Sequence, residues 1–130
     1  MRRALSIGVA ALFVLGAVRP EHVDGWSLES WAAEGVTTGT DGRTLTVHFY
    51  GGPEFDERDP CTEDYRAIAQ ESSGAVAIRL QRRVPRYQPA SFDCTLEAHS
   101  RSATVTLDAP LGRRVVRSEP KGIVVPVSQG

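Results

Sequence analysis

The residues best suited to chemistry fall into three groups: two cysteines, three histidines and one crowd of carboxylates. Cys61 and Cys94 stand alone, with no Cys-x-x-Cys spacing. Two isolated thiols make a poor zinc site, whereas in an exported chain they are most simply one disulfide. Such a bond closes a loop of about 34 residues and adds about 3–4 kcal/mol by restricting the unfolded chain. Glu54, Asp56, Glu57, Asp59, Glu63 and Asp64 crowd one short stretch. Oxygen ligands at that density suit Ca²⁺, but the Asp-x-Asp-x-Asp-Gly order of a calcium hand is missing. A solvated charge run is the simpler reading, and no metal site is assigned. A disulfide would also draw this stretch towards Arg82, Arg83 and Arg86, so that the two charge clusters screen each other.

His22, His48 and His99 follow no metal-ligand spacing, and no Gly-x-Ser-x-Gly elbow supports a serine nucleophile. Paired carboxylates could do acid–base work only if burial tuned them apart, and nothing in their surroundings suggests burial. No catalytic residue and no cofactor is assigned. The remaining candidate is a recognition loop, Pro85-Arg86-Tyr87-Gln88-Pro89-Ala90-Ser91-Phe92. Prolines bracket Tyr87, and Phe92 lies two residues before Cys94. Rigid loops presenting aromatics suit partner recognition, so Arg86, Tyr87 and Phe92 are the candidate binding residues. The alternative is that both rings cover the core beneath the disulfide, just as Trp26 and Trp31 read as large core pieces.

The elements that must position these groups are strands. Thr44 to Tyr50 alternates, with Leu45, Val47 and Phe49 on one face. Asp41-Gly42 before it is a strong type I′ hairpin signal, which places the partner strand within Trp26 to Thr38. Ser27 to Glu34, followed by Gly35, also fits a short capped helix; strand is the favoured reading. Ala75 to Val84 is a second strand, with Val76, Ile78 and Leu80 inward, turned back on Tyr65 to Glu71 by Ser72-Ser73-Gly74. Thr95 to Leu107 ends in an alternating stretch, and Asp108 to Gly112 is a turn. Arg113 to Arg117 and Ile123 to Val127 flank a further hairpin turn, Glu119 to Gly122, and Pro126 assigns the last strand to an edge. The expected fold is all-β: a small antiparallel sandwich or partly closed barrel of six to seven strands.

Ahead of the strands lies a leader. Arg2 and Arg3 precede an uncharged run, Ala4 to Val18. Its length suits a signal-peptide core, since a spanning helix wants about 20 residues. There is no Ala-x-Ala, and the best cuts follow Gly16 or Ala17. Residues 1–18 are therefore read as a signal peptide or membrane-anchoring helix, 19–25 as a tether and 26–130 as one β domain. Subtracting Arg2 and Arg3 from 15 basic residues leaves 13 against 16 acidic, a formal charge of −3 that argues against a nucleic-acid partner. A membrane is a partner only if the leader stays uncleaved.

The order Asp-Gly-Arg-Thr-Leu-Thr-Val at 41–47, a Gly-Gly loop, Cys61, a strand pair, Cys94, then Thr-Val-Thr-Leu-x-x-Pro-Leu-Gly-x-Arg at 104–114 resembles a group of small exported proteins and lipoproteins of high-GC Gram-positive bacteria. The resemblance spans roughly residues 36 to 127 and rests on turn and strand motifs. It implies a fold and an extracytoplasmic place, and no activity comes with it. The chain lacks the lipidated cysteine of the lipoprotein members. The strong excess of arginine over lysine, with Lys121 the single lysine and asparagine absent, fits a GC-rich genome. The expected role is binding an unknown protein or envelope component, or a structural part at the envelope; a small extracellular hydrolase or inhibitor is the rival from another class. If the cysteines are paired, alkylation of the exported protein without reductant should label neither thiol, and reduction should expose both to a mass-detected label.

Overall fold

The computed structural model describes residues 22–23, 25–27 and 30–130. Ten strands are present among them, and no helix. They are β1 (His22–Val23), β2 (Trp26–Ser27), β3 (Gly35–Thr38), β4 (Thr44–Gly51) and β5 (Asp64–Glu71). The second half supplies β6 (Ala75–Arg83), β7 (His99–Thr106), β8 (Val115–Ser118), β9 (Ile123–Val125) and β10 (Val127–Gln129). The leader, Met1 to Val18, lies outside the described residues. Part of the expected tether does not: β1 pairs with β2 in a short antiparallel ribbon, His22 opposite Ser27.

The architecture is all-β, as expected, in two four-stranded sheets ordered β9-β8-β6-β5 and β10-β3-β4-β7. No ladder closes them into a barrel. Their shared interior follows from the period-two alternation of the long strands. Leu45, Val47 and Phe49 of one sheet meet Val76, Ile78 and Leu80 of the other, and all are almost wholly removed from water. Val36, Val116, Val125, Leu107 and Leu111 fill out the same cluster.

The expectation of purely antiparallel sheets is corrected. β6 runs parallel to β8, and β3 runs parallel to β10. The β6–β8 pairing follows from the chain passing through β7 in the other sheet between them, and the β3–β10 pairing turns on Pro126. It interrupts what would be one strand, so Ile123–Val125 completes the first sheet and Val127–Gln129 crosses to the second. Pro126 cannot donate to a ladder, but its carbonyl accepts from the Val36 amide at 2.9 Å. The seam uses the residue at an edge, where the sequence places it.

Three local readings also change. Of the 27–34 stretch, Ser27 ends β2, and residues 30–34 form neither helix nor regular strand. The stretch runs beside the upper half of β6, where Trp31 N donates to Leu80 O, Leu80 N to Ser30 Oγ and Arg82 N to Ser27 Oγ. Those serine hydroxyls take up strand donors that β8, ending at Ser118 opposite Ile78, no longer reaches. The β3–β4 turn is not centred on Asp41-Gly42: Gly42 N donates to Gly39 O, so Thr40 and Asp41 are central and Gly42 follows with φ +71°. Asp41 Oδ1 accepts from the Arg43 and Thr44 amides, which holds its carboxyl below the ordinary range. Finally, the regular part of the third long strand starts at His99, not at Thr95.

At the end of the molecule carrying the β5–β6 turn, Arg114 acts as a peg. It donates to Glu71 Oε1 at 3.1 Å, to Ser72 O at 3.2 Å and to the carbonyls of Ala109 and Pro110 at 3.0 and 2.9 Å. Glu71 also accepts from the Asp108 amide, chiefly through which its carboxyl is held below the usual value. Lowered in the fold, that carboxyl stabilises the turn pair above the ordinary glutamate range, and the contribution is lost as pH falls through its folded value. Truncating the interior is expected to cost more: Leu45→Ala should lower unfolding free energy by about 2–5 kcal/mol, whereas exposed Val124→Ala should stay within about 0.5, by denaturant titration.

Candidate functional site

A site can form where the β4–β7 ladder ends. The last pair is Gly51 with His99; beyond it Gly52 turns towards the acidic loop, while the chain before His99 runs back towards Cys94. Those diverging segments leave main-chain groups to satisfy, and two side chains do so. Arg101 Nη1 donates to the carbonyls of Gly52 at 2.7 Å, Glu63 at 3.0 Å and Pro53 at 3.1 Å. Tyr65 Oη accepts from the Gly52 amide at 3.1 Å and donates to Glu63 Oε1. The second Glu63 oxygen accepts from Arg82 Nη1 at 2.9 Å.

An aromatic layer surrounds this junction. The Tyr65 ring lies 4.7 Å from Phe49, edge-on, and 6.2 Å from Trp31. Arg101 sits 4.9 Å over Tyr65, and Arg82 sits 4.8 Å over Trp31. The arrangement needs Gly51 and Gly52. A Cβ on Gly51 would lie 2.5 Å from the Tyr65 hydroxyl, and one on Gly52 would lie 2.8 Å from Glu63 Oε1. Burial, followed by the Glu63 hydrogen bond, pushes the Tyr65 phenol up to about 12.

Above the junction opens a groove of about 360 Å³. Trp31, Gly52 and Glu63 contribute to it from the body of the domain, Tyr50 and Pro53 from the end of β4, and Cys94 to Ala98 from the opposite side. The expected disulfide is present, joining Cys61 to Cys94 with Cα atoms 5.4 Å apart. It ties the far ends of the two diverging segments together and so completes the groove. Leu96 is wholly exposed beside it.

The candidate recognition residues are not assembled into that groove. Tyr87 is 55% exposed and Phe92 43%, so the alternative that these rings cover the core is overturned. Arg86 lines a separate hollow of about 350 Å³ with Phe55, Glu57 and Arg83. There the Arg83 guanidinium lies 4.9 Å from the rings of both Trp26 and Phe55.

The carboxylate crowd builds its own loop. Asp56 Oδ1 accepts from Arg58 N and Asp59 Oδ1 from Cys61 N, while the Thr62 hydroxyl donates to the Asp56 and Asp59 carbonyls. Glu63 and Asp64 do meet arginines, Arg82 and Arg83, each at 2.9 Å. The cause differs from the one expected. The β5–β6 register sets Tyr65 opposite Arg82 and Asp64 opposite Arg83, so hairpin pairing, not the disulfide, delivers them. Among the described residues no three His, Cys, Asp or Glu side chains converge on a possible metal position. His48 Nε2 shares a 2.7 Å hydrogen bond with Thr37 Oγ1 on the exposed face, and His99 lies 3.7 Å from Glu97.

Sequence reasoning missed Tyr65, Arg101 and the role of Glu63. The available signal was Gly51-Gly52 directly after an alternating strand, a mark of close approach by another group. Comparison with family models, curated proteins and solved structures returns no match.

Tyr65 gives a pH test. Its folded phenol titrates above the unfolded value of about 10, so its contribution is complete below pH 10 and is lost as pH rises towards 12. Urea titrations across that window should show wild-type stability falling, with the fall reduced in Tyr65→Phe. At neutral pH that variant should be less stable by about 1–3 kcal/mol, because Glu63 and the Gly52 amide each lose a partner.

Proposed function

We propose that the protein works outside the cytosol as a non-catalytic binding domain, with the groove beside the disulfide as its recognition surface. One observation carries the reading. The Cys61–Cys94 bond secures a stretch that adds little to the core, Val84 to Ala98, yet carries Tyr87, Phe92 and Leu96 on the surface. A covalent staple on such a stretch preserves a surface rather than a core. A disulfide is also consistent with an oxidising compartment, in line with the basic-then-apolar leader and with the resemblance to exported proteins of high-GC Gram-positive bacteria.

The chemistry of the groove supports binding over hydrolysis. Glu63 is the carboxylate at its base, and both oxygens are already committed, one to Tyr65 and one to Arg82. A carboxylate ion-paired to an arginine through one oxygen and hydrogen-bonded by a phenol at the other is poorly placed to exchange protons with a substrate. The second reading, a membrane-anchored form of the same domain, is favoured by bulky Leu15 and by the absence of Ala-x-Ala at the cut.

Fractionation of the native host with N-terminal sequencing decides between these. The expected product is an oxidised chain beginning at Ala17 or Val18, in culture fluid or the soluble envelope fraction. An intact chain retained in membranes after a high-salt wash would establish the anchored form. A reduced, intact chain in the cytosol would overturn both.

A further inference from the structure

Thr95 to Glu97 lie beyond the last β4–β7 pair and join no strand, and no other described segment takes up their main-chain groups. They form one lip of the groove. An extended polypeptide laid against such a segment gains main-chain hydrogen bonds, while alternate side chains face the groove below. The faces available to those side chains are apolar: Trp31 on the floor, Tyr50, 57% exposed, on the rim, and Leu96, fully exposed, on the lip. A fully exposed leucine on a covalently secured stretch costs solubility without helping the core, which fits a surface that is covered in use.

Charge selects the occupant. Around the groove stand Glu54, Asp59, Asp93 and Glu97, all exposed and none paired with an arginine, Glu97 having only His99 at 3.7 Å. The acids that do have arginine partners, Glu63 and Asp64, are already neutralised. Of the nearby cations, Arg82 is paired with Glu63, and Arg58 reaches Asp56 at 3.8 Å. Arg101 lies beneath the groove with its charge on main-chain carbonyls, while Arg86 and Glu57 belong together to the neighbouring hollow, so the acids outnumber the cations. The field at the groove mouth is therefore negative, and it attracts and orients cationic segments.

We propose that the groove binds an extended cationic polypeptide segment, its main chain along Thr95–Glu97 and its apolar side chains on Trp31, Tyr50 and Leu96. This inference rests on the groove's being a binding surface and names what it binds. The source is a basic, β-prone stretch of another protein.

The test uses the oxidised, isotope-labelled mature chain and a capped peptide alternating lysine with valine and leucine, titrated by NMR at low salt. Amide shifts should cluster at Tyr50–Pro53 and Thr95–Ala98 and at the Trp31 indole, and affinity should fall as salt is raised. Leu96→Ser with Tyr50→Ser, both at exposed positions, should weaken binding about tenfold, while Arg113→Ser at the far end should leave it unchanged. Replacing every lysine of the peptide by glutamate, or every valine and leucine by serine, should abolish the shifts. Equal binding by the glutamate peptide overturns charge selection while leaving a binding groove. Equal binding by the lysine–serine peptide reduces the effect to charge attraction and overturns the apolar seat. Shifts confined to other surfaces, or none up to about 1 mM, overturn the inference outright. The broader binding-domain reading is judged separately, by fractionation and thiol state.

Discussion

Arg101 and Tyr65 hold apart two chain segments that would otherwise continue as a ladder, and the groove depends on them. Where β4 and β7 diverge after Gly51 and His99, the carbonyls of Gly52, Pro53 and Glu63 lie outside both ladders, and the Pro53 carbonyl keeps one main-chain donor, the Glu63 amide at 3.0 Å. One guanidinium satisfies all three, and the Tyr65 hydroxyl takes the Gly52 amide. An unpaired main-chain group away from water costs about as much as a lost hydrogen bond, so neither side chain is readily dispensable. With that end of the sandwich held open, a 33-residue separation in sequence can be bridged by Cys61–Cys94 across a 5.4 Å Cα gap.

The opposite end is closed by different means. Arg114 gathers the carbonyls of Ser72, Ala109 and Pro110, and Glu71 anchors it from the β5–β6 hairpin. At one edge, Pro126 lets a single run of chain complete both sheets, which gives the parallel β3–β10 pairing, while the parallel β6–β8 pairing comes from the chain crossing through β7 in the other sheet between them. The molecule is thus tied at one end by side-chain hydrogen bonds, along one seam by a strand that changes sheet, and at the groove end by a covalent bond. The interior between them is wholly apolar at its centre, and the polar work is carried out at the ends.

That division bears on what the groove can do. Its central carboxylate is spent on structure, while the unpaired acids stand on the surrounding loops, where they shape the field over the groove. Structure-building acids and field-setting acids come from the same crowded stretch, 54–64. Asp56 and Asp59 cap their own turns, Glu63 and Asp64 face arginines, and Glu54 and Glu57 face water. A stretch that reads as uniform charge resolves into three physical roles.

The sequence by itself determined the two interior faces, Leu45-Val47-Phe49 and Val76-Ile78-Leu80, because side chains alternate along any strand irrespective of its neighbours. It also placed the Ser72-Gly74 and Glu119-Gly122 hairpins, whose signals are local, and it offered one simple pairing for two cysteines. Only the tertiary structure decided which strands run parallel, since that depends on the crossover through β7 and on the path of β10 after Pro126, not on any local preference. It alone brought Arg101 to Glu63, residues 38 apart, and set the Tyr65 hydroxyl against Gly52. It left Tyr87 and Phe92 in solvent where their apolar character allowed burial, and it made a groove at Leu96, a residue with nothing distinctive in its own sequence neighbourhood. Periodicity and turn chemistry act over a few residues and can be read along the chain. A site formed where a ladder ends depends on non-local pairings, and those exist only once the two sheets have packed.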